Sequence, residues 1–185
     1  MDNIKVVYIE NCISSTPKQK PDKCPKKRVV TSTNKWTFSA FDLTPASQME
    51  YITKIHSNFA STENTILGEP QCKFIIQQIN QKLYGYRYQD AHKNLFQEQL
   101  FIDLKSVIDL LLECNNQCFY CKEPVQVLYE QVREPKQWTL DRLNNHAGHN
   151  KSNVVIACLI CNLRRKTMYH ERYVFTKQMN IVKTA

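Results

Sequence analysis

CFYCKEP at 118–124, then WTLDRLNNHAGHNKSNVVIACLICNLRRK at 138–166, is the part of the chain from which its architecture is read. It contains two Cys-x-x-Cys pairs, Cys118/Cys121 and Cys158/Cys161, separated by a cluster of Asp, Asn and His. Each pair sets two thiolates on one side of a tight knuckle, and two facing knuckles make the tetrahedral sulfur cage that Zn²⁺ prefers. Cys114 is the substitute ligand should Cys118 not serve.

Trp138-Thr139-Leu140 is a short β-prone run that ends in Asp141-Arg142. A polar loop follows from Asn144 to Lys151, and Val154 to Ala157 is a second apolar strand. From Asn162 the chain turns basic and helical, over Leu163 to Tyr173. The order predicts a ββα unit clasped by zinc, and with the helical patterns upstream it predicts an α+β fold.

In these residues the chain resembles the HNH (ββα-metal) endonucleases, particularly members with paired zinc knuckles such as phage endonuclease VII and the HNH-type proteins of large DNA viruses. The resemblance covers about residues 114–168, with weaker similarity upstream in INQKLYGYRYQD at 79–90. It implies that Asp141 and Asn162 hold a catalytic Mg²⁺ or Mn²⁺, that Asn153 tethers the loop, and that the zinc is structural. In the family a His follows the metal-binding Asp and deprotonates the attacking water, whereas here that position is Arg142. Guanidinium stays charged and accepts no proton, but its planar fork can clamp a phosphate. Either His149, or after it His146, supplies the base, or the chain binds nucleic acid without cutting it. The resemblance thus implies a metal-dependent endonuclease or nickase acting on DNA. The alternatives are a degenerate module binding DNA or RNA and a zinc-stabilised subunit of a viral protein complex. A viral source would place it in the host nucleus or cytoplasm.

The 185 residues carry a formal charge of +8 and a pI near 9.1, a balance that suits a polyanionic partner or simply keeps a surface soluble. Position favours the partner, because Arg164-Arg165-Lys166 directly follows the last knuckle and, with Arg142, can grip a phosphate backbone. The eight cysteines come without a leader-like opening, and no apolar run is long enough to cross a membrane, so a reducing intracellular compartment is expected.

Four segments follow from the pattern. Residues 1–43 combine a β-prone run at 4–9 with SSTPKQKPDKCPKKR at 14–28, a basic, proline-punctuated linker. Cys12 and Cys24 lie near it as free thiols, and residues 29–43 hold at most a weak strand.

Residues 44–113 read as helices. Thr44-Pro45 opens the first, over 46–59, with Met49, Ile52, Ile55 and Phe59 facing a core and His56 a surface or packing residue. Glu69-Pro70 opens the second, with Phe74, Ile75, Ile79 and Leu83 buried and Gly85 as its stop. Asp103 caps the third, where Leu104, Val107, Ile108, Leu111 and Leu112 recur at helical spacing. Tyr86, Arg87, Tyr88, His92 and Lys93 mix aromatic and basic character, which suits either helix packing or a binding face for bases and phosphates. Residues 114–175 form the zinc-binding ββα domain, with a β-prone run at 125–129, and 176–185 a tail.

Overall fold

A computed structural model of the chain describes residues 6–9, 37–60 and 69–183. The basic linker, Cys12, Cys24 and residues 29–36 lie outside the described residues. Within them the elements are β1 (Val6–Ile9), α1 (Pro45–Ala60), α2 (Pro70–His92), α3 (Leu104–Glu113), β2 (Trp138–Arg142), β3 (Val154–Cys158), α4 (Leu159–Arg165), α5 (His170–Gln178) and β4 (Asn180–Lys183). The architecture is α+β, with an antiparallel β2–β3 ribbon and a parallel β1–β4 pair. No helix among the described residues is long and apolar enough to cross a membrane.

Local chemistry sets the helix starts. The Thr44 hydroxyl accepts from the Ser47 amide at 3.3 Å ahead of Pro45, and Asp103 accepts from the Ser106 amide at 2.8 Å to cap α3. α1 packs on both α2 and α3, and α3 touches β3. Ile52, Ile55, Ile75, Ile79, Val107, Ile108 and Leu111 fill their junction, and this core runs unbroken into Trp138, Leu140 and the cysteines Cys118, Cys158 and Cys161. Met49 is only half-buried and Phe59 is largely exposed, so the predicted α1 stripe is narrower than its spacing suggested.

The β-prone run at 125–129 forms no strand of a ladder. Buried Gln48 on α1 accepts from the amides of Val127 at 2.7 Å and Leu128 at 3.0 Å, and its own amide donates to the Leu43 carbonyl. One side chain thus satisfies two backbone donors that a neighbouring strand would otherwise have taken.

Three expectations are corrected. Gly85 does not end α2, which continues two further turns to His92. A Cβ built there meets nothing within 4 Å, so Gly85→Ala is expected to raise stability by about 0.5–1 kcal/mol. In thermal unfolding that is a rise in Tm of about 1–4 °C, and an unchanged or lower Tm would contradict it. The helix expected over 163–173 is two helices, α4 and α5, parted at Lys166, whose φ of 53° and ψ of −115° take it out of helical conformation. Finally, Asn180–Lys183, read as part of a tail, pairs with Val6–Ile9 in register from Val6↔Asn180 to Ile9↔Lys183.

Candidate metal centre and the polar site beside it

The sequence brings the four thiols together by two different turns. In the first knuckle, the Cys118 amide donates to the Glu123 carbonyl at 2.9 Å and the Lys122 amide to the Cys118 carbonyl at 3.0 Å. Lys122 closes this turn at a φ of 59°. In the second, Cys158 is both the last residue of β3 and the N-cap of α4, so Cys161 lies one turn along on the same face. The Phe119 amide donates to the Ile156 carbonyl at 2.8 Å and locks the first knuckle to β3.

The sulfurs of Cys118, Cys121, Cys158 and Cys161 all lie within 4.8 Å of one another, and Cys121 and Cys158 are 3.9 Å apart. Tetrahedral Zn–S bonds of about 2.3 Å require sulfur separations of about 3.8 Å, so the donor set and its spacing fit a metal ion such as zinc. The Cys118 thiol is drawn down, chiefly by the hydrogen bond from Cys158, whose own thiol is pushed up for the same reason. Cys114 stands apart from the cluster, half-buried at the end of α3 with its sulfur toward the Leu111 carbonyl.

Asp141 and Asn162 lie on one side of the β2–β3 ribbon but bond to different groups, Asp141 to Arg165 and Asn162 to Thr139. Thr139 and Asp141 share a face of β2, and Asn162 and Arg165 are one turn apart on α4 against it. The Asn162 amide donates to Thr139 Oγ1 at 3.0 Å and to the Leu140 carbonyl at 3.4 Å. Both oxygens of Asp141 are engaged: Oδ1 accepts from Arg165 at 2.6 Å and Oδ2 from the Tyr120 hydroxyl at 2.7 Å. Burial pushes the Asp141 carboxyl up, while Tyr120 and Arg165 pull it the other way. This arrangement does not fit a divalent ion on Asp141 unless Arg165 leaves.

Arg165, read from the sequence as a residue that grips nucleic acid, is only 1% exposed, and its second nitrogen donates to the Leu143 carbonyl at 3.0 Å. Arg164 and Lys166 on either side are exposed.

Asn153 holds the loop between the strands. Its amide donates to the carbonyls of Asn144 at 3.0 Å and Gly148 at 2.9 Å, its oxygen accepts from the Asn144 amide, and its carbonyl accepts from Leu143. Gly148 is needed for the same closure, because a Cβ there would lie 2.5 Å from the Leu95 carbonyl oxygen. Backbone cannot be pushed aside as a flexible side chain can.

His149 is buried and held by Asp90. The carboxylate accepts from the His149 amide at 2.6 Å and lies 2.9 Å from its Nδ1, while the ring stacks on Tyr86 at 4.4 Å. Arg142 donates to the Ala147 carbonyl at 3.2 Å and stands 3.9 Å from Asp90. His146 is exposed and lines a separate cleft of about 550 Å³ with Asn144, Tyr169 and His170.

Desolvation, only partly opposed by Asp90, lowers the His149 pKa below its ordinary 6.5. Below pH 6.5 the unfolded chain therefore takes up a proton that the folded chain resists, and stability falls as pH falls through that window. His149→Gln is expected to flatten this part of a denaturation-against-pH profile. An unchanged slope would remove His149 as its source.

Asp90 and Tyr86 were not singled out from the sequence as partners of His149, nor Tyr120 and Thr139 as partners of Asp141 and Asn162. The signal for the first two was the 79–90 stretch, where positions 86 and 90 are one helical turn apart. Arg87, which suits either helix packing or a binding face, is exposed and lies over the Phe96 ring at 4.8 Å and 3.8 Å from Glu98. Comparison of the chain with protein-family models, with curated proteins and with solved structures finds no match in any of the three.

Proposed function

We propose that the chain is an HNH-like nucleic-acid-binding protein, in which a zinc-pinned ββα unit sets a rigid polar loop and flanking cations against a phosphodiester backbone. The observation that carries this reading is the joint placement of Asp141, Asn153 and Asn162 about one ribbon held by a four-cysteine cage. Each of the three ties the loop or α4 to the ribbon, which keeps this polar face rigid. Exposed Arg164 and Lys166 supply charge beside it, on a chain of net charge +8. DNA is the expected polyanion, and RNA the alternative.

Phosphodiester hydrolysis is the second reading, and the Asp90–His149 pair favours it. A carboxylate on Nδ1 leaves Nε2 as the nitrogen that exchanges protons, the arrangement by which a general base is oriented. No step is assigned to a divalent ion, since the groups around Asp141 do not accommodate one as arranged.

The test titrates zinc-loaded protein with labelled single-stranded, duplex and branched DNA and with RNA, at several salt concentrations and without added divalent ions. Affinity should fall with salt, and Arg164→Ala or Lys166→Ala should each reduce the slope of log K against log salt by about one. Binding indifferent to salt, or none at all, would overturn the reading and leave a protein-interaction role. Nicking of plasmid or branched DNA that His149→Ala abolishes would establish the second reading.

A further inference from the structure

We infer that Arg165 is an internal cation occupying the place beside Asp141 that the HNH resemblance reserves for a divalent ion, so that the module engages its polyanion without a metal there. The inference deepens the nucleic-acid-binding reading and rests on it.

The side chain of Arg165 is fully buried and its guanidinium is tied at two points, to Asp141 Oδ1 at 2.6 Å and to the Leu143 carbonyl at 3.0 Å. A guanidinium cannot shed its charge, so an ion bonded to the same carboxylate would stand against a fixed positive group with little water between them. The second oxygen is no freer, because the Tyr120 hydroxyl donates to it at 2.7 Å. Asn162, the other expected ligand, turns its NH₂ group toward β2 through Thr139 and the Leu140 carbonyl. Both carboxylate oxygens that would face a metal therefore already meet a hydrogen-bond partner within the chain.

The placement also explains how the carboxylate is tolerated inside. Asp141 is 5% exposed, and an unpaired anion at such a position would need a counter-charge from somewhere. Arg165 provides it from α4, one turn beyond Asn162, and the connection to Leu143 extends the same cation to the root of the loop. Charge balance at this point is thus built into the fold.

Mn²⁺ binding followed by electron paramagnetic resonance, on protein first saturated with zinc, tests this directly. Wild-type protein should show only the weak background binding of an Asp141→Asn variant. The double variant Tyr120→Phe/Arg165→Met, which frees both carboxylate oxygens, should gain one Mn²⁺ site that is lost again when Asp141→Asn is added. A wild-type Mn²⁺ site abolished by Asp141→Asn would overturn the inference, whether or not the double variant folds. Nucleic-acid affinity of the wild type, measured with and without Mn²⁺, should differ by less than twofold, and a tenfold gain that requires Asp141 would likewise overturn it. Absence of nucleic-acid binding in both conditions would instead overturn the functional reading while leaving the Mn²⁺ result to stand.

Discussion

Stripping zinc from zinc-loaded protein, or replacing Cys158 by Ser, is expected to unfold the half of the chain that contains β2, β3 and α4. Cys118, Cys158 and Cys161 are not surface clips but members of the same buried cluster as Trp138, Leu140 and Ile156. Without an ion, several thiols in a space under 5 Å across must stay protonated or share protons, and their burial then brings no bonding in return. Structural zinc in small domains contributes about 10–16 kcal/mol of apparent stability at neutral pH, which equals or exceeds the ~5–15 kcal/mol by which whole domains are stable. Circular dichroism before and after chelation, with metal content measured in parallel, should show loss of native signal and recovery on adding Zn²⁺. Cys114→Ser should keep full metal stoichiometry, since its sulfur lies outside the cluster. A chelated protein that kept its near-ultraviolet spectrum would show that the core alone suffices.

The parts legible in the sequence were those set by short-range spacing. Cys-x-x-Cys fixes two thiols on one turn, and the β-prone run at 138–140 and the apolar run at 154–157, parted by a polar loop, mark the two strands of the ribbon. Helix starts were equally plain, because Thr44-Pro45 and Asp103 carry their own capping chemistry.

What the sequence hid depends on distance along the chain. Gln48 reaches Val127 across 79 residues, and Asp90 reaches His149 across 59, and neither pairing has a spacing rule. The break at Lys166 was hidden for another reason, since a non-glycine residue at positive φ carries no compositional mark. Arg165 was misread because a run of three basic residues looks like one exposed patch, although helical geometry turns its middle member inward while Arg164 and Lys166 face out.

Asp141→Ala should be among the most damaging single changes that leave the cysteines intact, lowering stability by about 3–5 kcal/mol, because it strands a buried guanidinium that cannot neutralise itself. Arg165 Nε already lacks a partner among the described residues, so no further shortfall is readily absorbed. The Tyr120 hydroxyl would lose its acceptor as well. Denaturant unfolding should separate this from a simple loss of packing. Asp141→Leu combined with Arg165→Met removes both charges, and it should recover most of the loss, since apolar replacement of a buried ion pair is often neutral or stabilising. The double-mutant cycle should therefore show a coupling of more than about 2 kcal/mol between the two positions. A carboxylate kept vacant for a ligand behaves in the opposite way, because its removal relieves an unpaired buried charge and leaves stability unchanged or higher. Asp141→Ala within about 1 kcal/mol of wild type, with no coupling to Arg165, would mean that the pair does not hold the ribbon to α4.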